Sequence, residues 1–245
     1  RNDHIYGTEK KTSPWRDTHI RITGSGVYIL QNIFLNDWRY CKKEEKSADE
    51  YVRAGYFPKV EVKGGISLQV VESGPDTPIQ KIKEAYIKMI TNAKSHVFIQ
   101  SPYFVPDDSF LSAIKIALAS GVKVGIMIPQ KPDHKAIFHV SISYLKELLD
   151  LGANVYMYKG FLHSKALIVD DNKLSIGTCN TDNRSFALNF EDTVIMYSKE
   201  LTAQYEKSVL EDVKNSVVVD QMYYKKRRWY TKFLQAVFRL GAPIL

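Results

Sequence analysis

Cysteine is scarce in this 245-residue chain: only Cys41 and Cys179 occur, which excludes a disulfide framework or a cysteine-rich zinc site. Cys179 lies in an apolar, strand-like stretch, where a small buried hydrophobe is the default role. No apolar run reaches the roughly 18 residues that a membrane-spanning helix needs, and the first residues lack the apolar core of a signal peptide. Any transmembrane anchor is therefore expected outside this chain. Negative charge is in deficit, with 27 acidic against 34 basic residues and a formal net charge of +7. That balance favours anionic partners and does not choose among nucleic acid, anionic lipid headgroups and phosphorylated small molecules. What the chain has in quantity is apolar surface: 44% hydrophobic residues suffice for one large domain, or one domain plus a piece of another.

Residues 16–23 (RDTHIRIT) alternate in character, with Ile20 and Ile22 on one face, before a turn at Gly24 to Gly26 and an apolar stretch from Val27. The pattern predicts a strand, a turn and a helix ending near Trp38. Residues 41–65 combine a charge run with GYFPKVEVKGG, a composition expected of a linker. From Ile66 short apolar runs (ISLQVV, HVFIQ, VKVGIMI, NVYMY) alternate with amphipathic helical stretches that begin near Ile79, Ser109 and His134. This predicts an α/β domain whose sheet is covered by helices, with a site at the strand ends. Three further strand-like pieces, HSKALIV, KLSIG and EDTVIMY, precede a helix from about Leu201 to Lys214.

The last of these pieces repeats the start of the chain. Displaced by 174 residues, Asp17 falls on Glu191, Ile20 on Val194, Ile22 on Met196 and Val27 on Leu201; displaced by 175, Asp17-Thr18 falls on Asp192-Thr193. The chain reads as the tail of one repeat (1–40), a linker (41–65), a whole second repeat (66–220) and a basic amphipathic C-terminal segment (221–245).

The chemistry concentrates in His163-Ser-Lys165-Ala-Leu-Ile-Val-Asp170, followed by Gly177-Thr-Cys-Asn180 and Asn189-Phe-Glu191. In an extended segment positions 163 and 165 face the same way, which sets an imidazole beside an ammonium and aims Ala166 and Ile168 into apolar packing. That pairing suits phosphoryl chemistry. Imidazole can attack phosphorus or protonate a leaving oxygen, while a fixed cation and an amide donor hold the non-bridging oxygens. Lys165 and Asn180 are candidates for the second task. Glu191 is the candidate carboxylate for fixing the tautomer of His163.

The joint pattern, HxKxxxxD with a G-[ST]-x-N turn and a following acid, resembles the motif of the phospholipase D superfamily. The match falls at His163, Lys165, Asp170, Gly177, Thr178, Asn180 and Glu191. The resemblance implies a phospholipase D-like mixed β-sheet flanked by helices on both faces. It makes His163 a catalytic histidine, Lys165 and Asn180 phosphate ligands, Glu191 the orienting acid and Thr178 a substrate contact. Asp170 belongs to the motif with a largely structural part. Members join two such repeats so that two histidines face each other across the phosphate. One forms a phosphohistidine, the other acts as general acid and then base, and neither metal nor other cofactor is implied. Only one HxKxxxxD occurs in this chain. The repeat offset puts its partner before residue 1, and an insertion in the Glu9 to Pro14 region pushes it further back. The expectation is a chain that starts past its first half-site and needs an upstream repeat, or a second copy of the chain, to be complete. By family habit the other repeat's histidine is the nucleophile and His163 the general acid.

Within that superfamily, Trp15 to Gly24 (WRDTHIRITG), Ser73 to Asp76 (SGPD), Ser101 to Asp107 (SPYFVPD) and the ending Leu240 to Leu245 resemble bacterial cardiolipin synthases. Asp17 is then implied as the counterpart of Glu191, orienting the upstream histidine at the substrate. Tyr103 stands on a proline-stiffened loop that can wall the site, although packing at a strand end is the competing role for Phe104. His19 is either a substrate contact or structural. Lys225 to Arg228, followed by Trp229, Phe233, Val237 and Leu240, has the composition of a helix in a membrane interface, or of one packed back on the domain, or of both. The implied reaction is phosphatidyl transfer between two phosphatidylglycerol molecules, giving cardiolipin and glycerol at the bacterial cell membrane. The anchors would lie upstream and this chain would be soluble or peripheral. Phosphatidylglycerol and anionic membrane lipid are the expected partners; nucleic acid is not expected. The alternatives are a hydrolase of the same superfamily acting on phospholipid or nucleic acid, and a membrane-binding module.

Overall fold

The computed structural model describes residues 15–43, 47–61, 64–227 and 238–239. In chain order the strands are β1 (Trp15–Arg16), β2 (Ser67–Ser73), β3 (His96–Gln100), β4 (Phe104–Val105), β5 (Lys123–Pro129), β6 (Asn154–Tyr158), β7 (Phe161–Leu162), β8 (Ala166–Val169), β9 (Lys173–Gly177), β10 (Thr181–Asp182), β11 (Glu191–Tyr197) and β12 (Ser216–Val219). The helices are α1 (Val27–Lys42), α2 (Ala48–Arg53), α3 (Lys81–Thr91), α4 (Asp108–Ala119), α5 (Lys135–Asp150), α6 (Asn183–Ala187), α7 (Lys199–Lys214) and α8 (Gln221–Lys225).

An eight-stranded mixed sheet in the order β12-β6-β5-β3-β8-β9-β11-β2 organises these elements. The long helical connections through α4 and α5 let β3, β5 and β6 run parallel. The short connection from Val169 to Lys173 makes β8 and β9 an antiparallel pair. Helices lie on both faces because the strand alternation is apolar on both. Ala166 and Ile168 of β8 pack with Val194 and Met196 of β11 and with Tyr205 and Val209 of α7. Their neighbours Leu167 and Val169 join the opposite cluster, which includes Ile82 and Tyr86 of α3, Phe110 of α4 and Leu145 of α5. Every side chain of β8 is therefore buried, and the residues just before it are held on a rigid base.

Three expectations need correction. Residues 17–23 are not a strand: β1 ends at Arg16, and no strand among the described residues takes up a ladder with 17–23. The alternation itself is present, since Ile20 and Ile22 pack against the α7 face of the sheet while His19 and Arg21 are exposed. The helix α1 continues past Trp38 to Lys42 and stops where Lys43 turns left-handed at φ 53°. The segment read as linker contains α2, whose first turn is closed by the Ser47 N–H donating to Glu50 Oε2 at 2.6 Å. The Ser-x-x-Glu spacing of that capping box is visible in the sequence. The small elements β4, β10, α6, β12 and α8 were not foreseen. Arg228, Trp229, Phe233, Val237 and Leu240 lie outside the described residues, as do residues 1–14.

Candidate active site

β1 and β7 pair in parallel, with Trp15 opposite Phe161 and Arg16 opposite Leu162. The His163 N–H extends this ladder to Arg16 O at 2.8 Å, so Asp17 is delivered directly to the side of His163. Asp17 Oδ2 accepts the imidazole Nδ1–H at 2.9 Å and the Trp15 indole N–H at 3.4 Å, while Oδ1 accepts the Thr18 N–H at 2.8 Å. Burial works to raise the pKa of this carboxyl, but the His163 and Thr18 hydrogen bonds, together with the charges of His163 and Lys165, hold it down at about 2. Trp15 and Phe161 stack around the imidazole, with ring centroids 4.6 and 5.9 Å away. Nε2 has no hydrogen-bond partner among the described residues, and the side chain is 39% exposed.

This arrangement reverses the expected assignment of acids. Asp17, expected to serve the substrate side and another histidine, is the residue bonded to His163. Glu191 is held at the start of β11 opposite Ser73, and its Oε1 accepts from Asn189 Nδ2 at 3.1 Å. The parallel β1–β7 pairing decides this, because it fixes the residue after Arg16 beside the residue after Leu162.

Lys165 is buried, and its ammonium donates to His163 O at 2.7 Å. Burial lowers its pKa to about 8, against the opposing pull of Asp17, Glu191, Asp133 and Asp182. Burial thus weakens the charge of this cation at alkaline pH, and the nearby carboxylates act to keep it protonated. Asn180 donates to Ser185 Oγ at 3.2 Å, and its Oδ1 is buried with no partner.

The remaining candidates serve the framework. Asp170 adopts φ 53° in the β8–β9 turn, and its carboxylate accepts the N–H groups of Lys94, Ser95 and His96. Thr178 Oγ1 accepts the Asp192 N–H at 3.0 Å and donates to Asp192 O, tying the Gly177–Asn180 turn to β11. Tyr103 donates its hydroxyl to Asp133, a carboxylate that also acts on Lys165. Among the described residues no group of His, Cys, Asp and Glu side chains is arranged to hold a metal ion. Asp133, which receives the Tyr103 hydroxyl, and Asp182, which accepts the Ser185 N–H, are carboxylates that motif reading did not single out.

A mixed sheet flanked by helices, with a half-buried histidine, its carboxylate partner and an adjacent lysine at one strand end, is of the phospholipase D-like class. Residues 86–213 match the family described as cardiolipin synthase, PLD-like domain, and the chain belongs to that family. It is 46% identical over 244 residues to a cardiolipin synthase of Listeria monocytogenes, covering 99% of this chain and 50% of the relative. To a cardiolipin synthase of Staphylococcus aureus it is 42% identical, covering 99% and 49%. The chain thus spans about half the length of the curated relatives it matches. Among solved structures, Nuc from Salmonella typhimurium, a phospholipase D family member, superposes with a TM-score of 0.56 at 19% identity, over 64% of this chain and 100% of that one. Phosphatidylserine synthase from Haemophilus influenzae gives 0.62 at 15% identity, over 82% and 56%. At those identities the likeness is one of fold.

Proposed function

We propose that this chain supplies the C-terminal half-site of a phosphatidyltransferase that joins two phosphatidylglycerol molecules into cardiolipin and releases glycerol. The observation that carries the reading is the Asp17–His163 pair, which commits Nδ1–H to the acid and leaves Nε2 to exchange protons. Residues 1–40 are the end of an upstream repeat in this view, and residues 66–220 are the second repeat. A histidine from the upstream repeat, or from a second copy of the chain, attacks phosphorus. His163 Nε2–H protonates the departing glycerol oxygen, leaving a phosphohistidine. The neutral Nε2 then takes the proton of the acceptor lipid's hydroxyl as its oxygen attacks phosphorus and the P–N bond breaks. Lys165, with the Asn180 amide, stabilises charge on the non-bridging oxygens.

A lipid substrate is favoured over nucleic acid by Leu188 and Phe190, which are 66% and 63% exposed on either side of Asn189, the residue bonded to Glu191. Arg184, exposed on the same short stretch, and the basic residues Lys225 to Arg227 suit an anionic membrane surface. Among the described residues no helix is long and apolar enough to cross a membrane. We place the enzyme at the bacterial cell membrane through segments beyond this chain.

The test supplies phosphatidylglycerol vesicles to this chain and to a version extended through the upstream repeat, and analyses the extracted lipid. Cardiolipin from the longer version is the expected result. A folded, vesicle-binding extended enzyme that yields phosphatidic acid and no cardiolipin would redirect the reading to hydrolysis.

A further inference from the structure

On the α7 face of the sheet lies a chain of polar groups that the proposed chemistry does not use. Asp212 of α7 is 5% exposed and shares its oxygens between two donors, Arg16 Nε at 2.9 Å on Oδ1 and Gln100 Nε2 at 3.0 Å on Oδ2. Gln100 Oε1 accepts the Tyr205 hydroxyl at 2.5 Å. Tyr205 lies 3.0 Å from Ser164 Oγ and 3.1 Å from Thr18 Oγ1, which are themselves 2.8 Å apart. Arg16 closes the network, with Nη2 on Ser208 Oγ at 3.1 Å and Nη1 on Thr18 Oγ1 at 3.3 Å.

The membership of this network is specific to the half-site. Arg16 and Thr18 flank Asp17 in sequence, and Ser164 follows His163, so both partners of the acid–imidazole bond are fixed by their immediate neighbours. Asp17 belongs to a segment whose strand ends at Arg16 and whose next residues form no ladder among the described strands. The short ladder and the Trp15 ring contacts fix the segment from the β7 side. The guanidinium, held through Nε and Nη2 by Asp212 and Ser208, fixes it from the α7 side. Tying a loop to a helix for stability is the plainer role for such a pair. α7 has another tie of that kind, Glu206 Oε1 to His96 Nε2 at 2.9 Å, which reaches β3 and no residue beside Asp17 or His163.

We propose that Asp212, acting through Arg16, is a positioning residue that holds the Asp17 carboxylate in register with His163 Nδ1, so that α7 sets the tautomer of the imidazole. The inference rests on His163 being the reactive histidine, but its geometric content is read without turnover. Nitrogen-15 NMR of the 245-residue chain, at a pH where the imidazole is neutral, reports which ring nitrogen carries the proton. The wild type should hold it on Nδ1, and Asp212→Asn should give a measurable Nε2–H population. In the extended enzyme the same change should lower kcat by about tenfold to a hundredfold with KM unchanged, as a small misplacement of a reacting group does. Adding Arg16→Lys should cost little more, since both changes break one connection. Glu206→Gln should lower the melting temperature without moving tautomer or kcat.

A folded Asp212→Asn variant that keeps the Nδ1–H tautomer overturns the proposal, and so does a Glu206→Gln variant that disturbs it equally. If Asp212→Asn does not fold, Ser208→Ala and Tyr205→Phe trim the network without stranding a charge, and an unchanged tautomer in both overturns it. A shifted tautomer with no cardiolipin from the extended wild-type enzyme leaves the positioning role standing and removes the proposed reaction.

Discussion

The Asp17–His163 bond makes the half-site sensitive to acid in a defined direction. The Asp17 carboxyl, held at about 2 against an ordinary 3.8, contributes stability that is complete above the higher value and is lost as pH falls through the lower. Asp17→Asn should therefore flatten the fall in stability between these two values. The loss at neutral pH should be roughly 1 kcal/mol, discounted for the partial exposure of the pair, as measured by urea unfolding. Turnover of the extended enzyme should fall about 10²–10⁴-fold, because an amide does not enforce the Nδ1–H tautomer. Lys165 gives a slope of the same sign in an alkaline window. Its folded value near 8 lies below the ordinary 10.5, so between the two the unfolded chain keeps a proton that the folded chain has lost, and stability rises with pH across that window. In the phosphate-holding role proposed for Lys165, anion binding runs the other way, since that role uses the ammonium. Titration with inorganic phosphate should weaken above about 8, while Lys165→Arg should remove that alkaline limb. The His-x-Lys spacing made both side chains legible as one chemical unit. The acid that serves His163 was not legible, because two carboxylates at equivalent positions of a repeat look alike in sequence, and only the β1–β7 pairing tells which histidine each meets.

At the scale of elements, the turn between β8 and β9 bears more on stability than on chemistry. Asp170→Ala removes the acceptor of three backbone N–H groups and leaves alanine in a left-handed conformation, and should cost about 2–4 kcal/mol in urea denaturation. Asp170→Asn keeps one carbonyl acceptor and tolerates that backbone, so its cost should be about 1 kcal/mol. Strand and helix positions from Ser67 to Lys214 were legible wherever an apolar period ran for five residues or more. The two-residue strands β1, β4, β7 and β10 were not, for they exist only through pairing between distant segments. Residues 17–23 show the converse. They have the strand alternation and lack a neighbouring strand among the described residues to complete it.

For the whole molecule, charge and chemistry should separate. Binding to anionic vesicles should be unchanged by His163→Ala, whereas turnover of the extended enzyme should disappear with the fold intact by circular dichroism. The basic excess was legible at once from the composition; the exposure of Leu188 and Phe190, on which the proposed lipid substrate leans, is not revealed by any count of residues. Asp17 and His163 lie 146 residues apart in the chain. At ribosomal speeds of about 5–20 residues per second, the acid leaves the ribosome on the order of 10 seconds before the imidazole it will hold has been made. Throughout that interval the Trp15–Thr18 segment has neither β7 nor α7 to dock on, so this half-site is among the last features that a nascent chain can complete.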